Sequence, residues 1–272
     1  MTAEPKLTEI AERVAAEAAD LVRKRRAELR DGAAMSVGTK SSDTDVVTAA
    51  DKESERLIRA RLTELRPGDA VLGEEEGGSA GEAAEDAVTW VVDPIDGTVN
   101  FLYGYPAFSV SVAAQIGGVS VAGAVIDPVS GRRWTATRGE GAWLDGSPVR
   151  VGSPASLDQT LLATGFAYRS DRRQRQARLM TSMLGRVRDI RRGGSSALDL
   201  CAVATGWVDA YFEHGLSRWD WAAGALIAAE AGATVSLPGS DPELGEDAIM
   251  AASPAIAAPL RAALLDCDAG SV

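Results

Sequence analysis

The sequence predicts an α/β (α+β) protein whose two halves, residues 1–154 and 155–272, pack as one compact unit. Three patterns carry that expectation. Apolar residues at helical spacing open the chain, and short apolar runs broken by Gly-Gly, Asp-Pro and Asp-Gly turns extend from Trp90 to Trp143. Beyond residue 155, strand-like and helix-like segments alternate, which implies a second α/β layer. No internal repeat or low-complexity linker separates the halves, and 272 residues suffice for a sizeable core.

Leu7, Ile10, Val14, Ala18 and Leu21 place an amphipathic helix over residues 6–29. Its basic run, Arg23 to Arg26, falls in the last turns, where cations favour the helix dipole. Residues 31–48, rich in Gly, Ser, Thr and Asp, read as loop and hairpin. Residues 51–65 form a second helix with Leu57, Ile58, Leu62 and Leu65 inward, and Val71-Leu72 a short strand running into Gly73-Glu74-Glu75-Glu76. Residues 77–87, all small or acidic, suggest a mobile loop. Val88, Trp90, Val91 and Val92 read as a buried strand that Pro94, lacking an N–H, should stop. A meander of antiparallel strands follows. The second half reads as strand 161–164, helix 172–186, strand 187–190 and a helix from Ser195. Strand 208–213, helix 220–231 and strands near 233 and 248 complete it.

The formal charge of −11 argues against a nucleic-acid surface, which needs a basic face. An acidic protein that handles an anion needs cations at the site, and clustered carboxylates holding metal ions provide them. No apolar run reaches the roughly eighteen residues of a membrane span, and the polar N-terminus lacks a secretory apolar region, so a cytoplasmic location is expected. Cys201 and Cys267 are too few for a disulfide framework. The single histidine, His214, leaves catalysis to carboxylates, hydroxyls and metal.

Residues 88–101, VTWVVDPIDGTVNF, carry the strongest chemical signal. Asp93 and Asp96 project from one strand end, Gly97 permits close backbone approach, and Thr98 adds a hydroxyl. Two hard oxygen ligands beside free N–H groups suit Mg²⁺ holding a phosphate, although an Asx turn closed by Asp-Gly has the same residues. Four more segments matter if they converge there. Gly73-Glu74-Glu75 offers carboxylates at a strand end or merely an acidic loop. Asp51 and Asp220 each sit in the first turn of a helix, as caps or as ligands. Gly193-Gly194-Ser195-Ser196 opens a helix, as an anion site or a plain N-cap. A rival motif, Gly77-Gly78-Ser79-Ala80-Gly81 with His214 downstream, matches the esterase pattern G-x-S-x-G but lacks the strand–turn–helix setting of a nucleophile elbow.

Taken in order, Gly73-Glu74-Glu75, the D-P-I-D-G-T at 93–98 and the W-D at 219–220 resemble the inositol monophosphatase family. These are Mg²⁺-dependent, lithium-sensitive phosphomonoesterases related to fructose-1,6-bisphosphatase. The likeness runs from about Lys40 to the strand near 250, and residues 192–200 and 209–213 look most like the bacterial inositol-1-monophosphatases. The resemblance implies a layered α-β-α-β-α sandwich, with most metal ligands in the first half and the substrate wall and Asp220 in the second.

By matching position, Glu74, Asp93 and the Ile95 carbonyl would hold a first metal, and Asp93, Asp96 and Asp220 a second, with Glu74 helping a weaker third. Thr98, hydrogen-bonded to Asp51, and Glu74 would orient and deprotonate a metal-activated water for in-line attack on phosphorus. The N–H groups of Gly97 and Thr98, beside Asp96, would hold the phosphate; Gly194, Ser195, Ser196 and Glu213 would touch the polyol.

The implied activity is hydrolysis of myo-inositol 1-phosphate and related small polyol monophosphates, by a homodimer. Histidinol phosphate, fructose 1,6-bisphosphate and nucleotide 3′-phosphates are alternative substrates on the same core, and a regulatory partner of a transcription complex is an alternative of another class. Two departures concern the alcohol: Ser217 stands where several relatives have histidine, and residues 164–169 lack the polar pattern of the animal enzymes.

Overall fold

The computed structural model describes residues 6–32, 34, 36–40, 46–78 and 87–272, and of Val46 the backbone alone. Helices α1 (Leu7–Arg30) and α2 (Ala49–Leu65) are separated by a hairpin of β1 (Val37–Thr39) and β2 (Val46–Thr48). Strands β3 (Ala70–Gly73), β4 (Val88–Asp96), β5 (Ser109–Ile116), β6 (Val119–Ile126), β7 (Arg133–Thr137), β8 (Gly141–Leu144) and β9 (Ser147–Pro148) form a seven-stranded sheet in chain order. Only the β3–β4 pair is parallel; the rest is the expected meander. A short helix, α3 (Thr98–Tyr103), joins β4 to β5.

The second sheet contains β10 (Leu161–Thr164), β11 (Asp189–Arg191), β12 (Ala210–His214), β13 (Thr234–Ser236) and β14 (Ala248–Ala252), in the order β11-β10-β12-β14-β13. Helices α4 (Ser170–Met183), α5 (Ser196–Ala204), α6 (Arg218–Glu230) and α7 (Ala257–Asp266) alternate with these strands. The crossovers β10–α4–β11 and β11–α5–β12 are α/β-like, and β10 pairs parallel with both β11 and β12.

Period-two alternation assigns the layers. Trp90 and Val92 of β4 face one way, packing with Ile10, Val14 and Ala18 of α1 and Ile58 and Leu62 of α2. Val91, Ala113 and Val125 face the other way, onto Ala197 and Cys201 of α5 and Ala223 and Ile227 of α6. Those two helices also cover Ala163, Tyr211 and Ile249 of the second sheet, whose far face, Leu162, Phe212 and Met250, packs on Leu179 and Met183 of α4 and Leu260 and Leu264 of α7. The result is an α-β-α-β-α sandwich. Burial on both sides explains why β4 reads as a continuous apolar run.

Two local outcomes differ from expectation. Pro94 does not end β4; the strand continues to Asp96 with one extra residue against β5, because Asp93 pairs with Ser111 and Asp96 with Ser109. The bulge accommodates the missing N–H and turns the strand end towards the cleft. Helices α3 and α7 carry weak periodicity and were not expected from the sequence.

Candidate active site

Asp93 and Asp96 leave the bulged end of β4 almost fully buried. Asp93 accepts the N–H of Ile95 at 3.1 Å, an Asx-type bond that fixes its rotamer. Asp96 is held from across the molecule by the start of α5. Its Oδ2 accepts the Ser195 hydroxyl at 2.5 Å and the Ala197 N–H at 2.8 Å, and the Ser196 hydroxyl lies 3.4 Å from Oδ1. Ser195 is also the N-cap of α5, its oxygen accepting from Leu198 N–H.

Asp220 reaches the same point from α6. As the third residue of that helix it accepts the N–H of Ser217 at 2.6 Å, so it is both a capping residue and a cleft residue. Asp51 repeats the arrangement on α2, accepting from Thr48 N–H at 2.9 Å and from the Thr48 hydroxyl at 2.5 Å. Capping and placement at the site are thus one geometry at both acids. The Thr98 hydroxyl lies 3.0 Å from Asp51 Oδ1 and 3.1 Å from the Ile95 carbonyl.

One oxygen from each of Asp93, Asp96 and Asp220 lies within 4.8 Å of the other two. Burial drives all three carboxyls to higher pKa than usual. The neighbouring acids add to this at Asp93 and Asp220, while the bonds from Ser195 and Ala197 oppose it at Asp96. Glu74 joins them from the turn after β3. Burial pushes its pKa up to about 7 against the pull of Lys40, whose ammonium lies 2.7 Å from Glu74 and 2.5 Å from Glu75.

These groups open into a cleft of about 420 Å³, lined also by Gly97, Thr98, Gly194, Ser195, Ser196 and Glu213. Asp51 and Ile95 stand directly behind the lining, both fully buried. Every site residue anticipated from the sequence therefore falls in or immediately behind one cleft. Glu213, at the end of β12, accepts the Tyr211 hydroxyl at 2.5 Å, and burial raises its pKa to about 7. A Cβ on Gly165 would overlap its carboxylate, so that glycine makes room for it. Gly97 has φ 93° and a Cβ there would meet the Gly194 carbonyl at 3.0 Å, so the glycine allows the chain before α5 to pass close by.

Lys40, Arg172, Arg192 and Asp199 line the cleft without having been singled out. Arg172 is held by a bidentate pair with Asp247, at 2.6 Å on both arms. Arg192 and Asp199 fall within the 192–200 segment that carries the resemblance, whereas Lys40 comes from a hairpin and Arg172 from a helix whose sequences look like ordinary polar surface. The serine of the esterase pattern, Ser79, lies outside the described residues, and His214 is buried, with Nε2 2.8 Å from the Leu244 carbonyl. Burial lowers the His214 pKa, so the ring is neutral near pH 7.

The pattern described by "Inositol monophosphatase family" matches residues 4–268. The chain belongs to the inositol monophosphatase family. It is 55% identical over 267 residues to the inositol-1-monophosphatase of Mycobacterium leprae, covering 94% of this chain and 92% of the relative. The solved structure of Mycobacterium tuberculosis SuhB superposes with a TM-score of 0.83 at 46% identity, covering 99% of this chain and all of that one. A Pseudomonas aeruginosa relative named Nus factor SuhB is 43% identical over 195 residues, 71% of this chain and 72% of its own length. The chain is thus a phosphatase of a metal-dependent family with the layered fold described above. Among the described residues no helix is long and apolar enough to cross a membrane.

The donor set fits a hard divalent cation. It consists of oxygens, three of them anionic, brought within 4.8 Å of one another where uncompensated charge is costly. Like charges so placed, two of them buried and the third half-buried, are an expensive arrangement unless a cation completes it.

Proposed function

We propose that this phosphatase hydrolyses myo-inositol 1-phosphate and related small polyol monophosphates with Mg²⁺ as cofactor. The observation carrying the reading is the ring of Asp93, Asp96 and Asp220 in a cleft that Glu213 also lines. Glu74, Asp93 and the Ile95 carbonyl would hold one ion, and Asp93, Asp96 and Asp220 a second, with Glu74 also serving a third. Bound there, the ions supply the positive charge that the phosphoryl oxygens and the departing alkoxide require.

The protein's own groups do the rest. Thr98 donates to Asp51, which leaves its oxygen lone pairs free to accept a hydrogen bond from the attacking water and aim it in line with the scissile bond. Glu74, placed beside the same water, would receive its proton. The N–H groups of Gly97 and Thr98 would steady the phosphate beside Asp96. Glu213 accepts from polyol hydroxyls, with Gly194, Ser195 and Ser196 shaping the wall. Ser195 and Ser196 have a second task, since both hydroxyls also address Asp96.

The test is a substrate panel with purified protein and Mg²⁺: inositol 1-phosphate, histidinol phosphate, fructose 1,6-bisphosphate and a nucleoside 3′-phosphate. Highest kcat/KM on inositol 1-phosphate supports the reading; preference for another member by an order of magnitude replaces the substrate, and no Mg²⁺-dependent hydrolysis of any overturns it. A homodimer in the cytoplasm, inhibited by lithium, is part of the same proposal. Sedimentation and rates in tens of millimolar Li⁺ check its first and last parts.

The relatives named Nus factor SuhB favour a second reading, a partner role in a transcription complex. Such a role does not require the acidic ring, so it would accompany the phosphatase rather than replace it. Retention of RNA polymerase from extract by the Asp93→Asn variant as well as the native protein would support it.

A further inference from the structure

Glu74 is the one proposed ligand that sits on a turn rather than on a helix or strand end, so something must hold that turn. Resting on the metal-dependent reading above, we infer that Glu55 of α2, clasped to Arg59, is a positioning residue that holds the Gly73–Gly77 turn so that Glu74 faces the cleft.

Glu55 is a fully buried carboxylate outside the cleft lining. Its Oε2 accepts the N–H of Glu75 at 2.7 Å, and its Oε1 accepts the N–H of Glu76 at 3.0 Å. Two successive amides immediately after Glu74 are therefore gripped by one side chain. Arg59, one helical turn on, donates Nε to Glu55 Oε1 at 2.9 Å. The same guanidinium reaches the carbonyl of Val71 at 3.2 Å and that of Gly77 at 2.5 Å, one on each side of the turn. Gly77 in turn accepts the N–H of Gly73 at 2.9 Å, closing the base.

The charge and the space are both specific to this purpose. A buried carboxylate is tolerated only when paired and hydrogen-bonded, and Glu55 meets that condition through the turn amides and Arg59. A Cβ on Gly73 would lie 2.3 Å from Glu55 Oε1, so the glycine leaves room for the carboxylate under the strand end. The same helix face carries Asp51 towards Thr98 and Ser54 towards the Pro94 carbonyl at 3.1 Å. α2 thus fixes, in one rigid piece, the Glu74 turn and the end of β4. Positions 51, 54, 55 and 58 share that face by helical spacing.

The experiment compares the native protein with Glu55→Gln and Gly73→Ala. Gln keeps the shape but turns an N–H₂ towards a backbone donor or Arg59; Ala displaces the carboxylate without changing any charge. For each, Mg²⁺ is titrated by calorimetry and by the Mg²⁺-dependent rise in Tm, with far-UV circular dichroism as the fold check. The expected result is a native-like spectrum with Mg²⁺ affinity weakened about 10–100-fold in both variants, the range for losing a group that orients a metal ligand. Saturating Mg²⁺ should restore most of the thermal shift, which a merely structural loss would not allow. Affinity within twofold of native in a folded variant overturns the inference, as does loss of the fold in both. If the native protein itself shows no Mg²⁺ response, the metal-dependent reading fails instead.

Discussion

Asp220→Asn should make the Mg²⁺-free protein more stable while removing its activity. One oxygen from each ring carboxylate lies within 4.8 Å of the other two, so each ionised pair repels by about 3.5 kcal/mol at an effective dielectric constant of about 20. Asp220 takes part in two such pairs, a gross penalty of about 7 kcal/mol. Protons taken up by the raised carboxyls cancel much of it near neutrality, so a net gain of about 1–3 kcal/mol is the reasonable expectation. Asparagine keeps an oxygen for the Ser217 N–H, so the cap of α6 survives the change.

The pH dependence has a definite sign. A carboxyl with a raised pKa in the folded state binds its proton more tightly there than in the unfolded chain. Native stability then falls as pH rises through the interval between the two values, which for Glu74 runs from 4.5 to about 7. Asp220 is raised from 3.8 in the same direction, so the gain from Asp220→Asn should grow with pH and be larger at pH 8 than at pH 5. Calorimetric scans in EDTA should show a Tm higher by several degrees, at about 2–4 °C per kcal/mol for a chain of this size. With Mg²⁺ the order should invert: the native protein gains about 2.7 kcal/mol at a hundredfold excess over Kd, and the variant gains little. A variant that melts lower than native in EDTA at pH 8, or that keeps the full Mg²⁺ shift, would refute the argument that these charges are held together for a cation.

Three further outcomes follow from individual bonds. Thr98→Val removes the hydroxyl at near-constant volume, and kcat should fall by about 10²–10³-fold with the Mg²⁺ thermal shift retained, whereas Thr98→Ser should stay within about tenfold of native. Glu213→Gln should raise KM for inositol 1-phosphate about tenfold with little change in Mg²⁺ affinity. Because the Glu213 pKa lies at about 7, native KM should decrease from pH 6 to pH 8 as the accepting carboxylate forms, and the variant's KM should be flat, as measured by initial rates. Ser195→Ala loses both the α5 cap and a bond to Asp96, so denaturant midpoints should report a loss of about 1–2 kcal/mol together with weaker Mg²⁺ binding.

The layers were legible because burial on two faces leaves period and composition in the chain. The first five residues of β4 are almost all apolar, α1 and α2 have clear stripes, and the turns of the meander are marked by glycine and Asp-Pro or Asp-Gly pairs. The acids were legible as candidates from their local settings, and it took the likeness to a family to single them out together. Asp51 and Asp220 show why. Each satisfies a capping box by itself, so local chemistry accounts for it completely and gives no sign of the cleft. Lys40 and Glu55 were missed for opposite reasons: one is a charge on a polar hairpin, and the other is a charge on a helix full of charges, whose burial is decided by a turn twenty residues away. Pro94 misled because a bulge, which depends on β5, lets the strand continue past it.

The small residues of α6 then acquire a chemical meaning beyond packing. Asp220 comes from a helix sandwiched between the sheets, so its distance from Asp93 is set by how closely that helix lies against β6 and α5. A Cβ on Gly123 would meet Ala223 Cα at 3.1 Å, and one on Gly224 would meet Leu200 Cβ at 2.9 Å. Neither position accepts a Cβ without a shift of its neighbour. Larger side chains there would move α6 outwards by a sizeable fraction of an ångström or more, since a packed core cannot absorb them locally. Mg²⁺ requires oxygens at about 2.0–2.1 Å in near-octahedral array, a tolerance narrower than that displacement. The Ala/Gly composition of this helix is accordingly a condition for the ring of carboxylates, and the ring in turn depends on the two sheets being held at this separation.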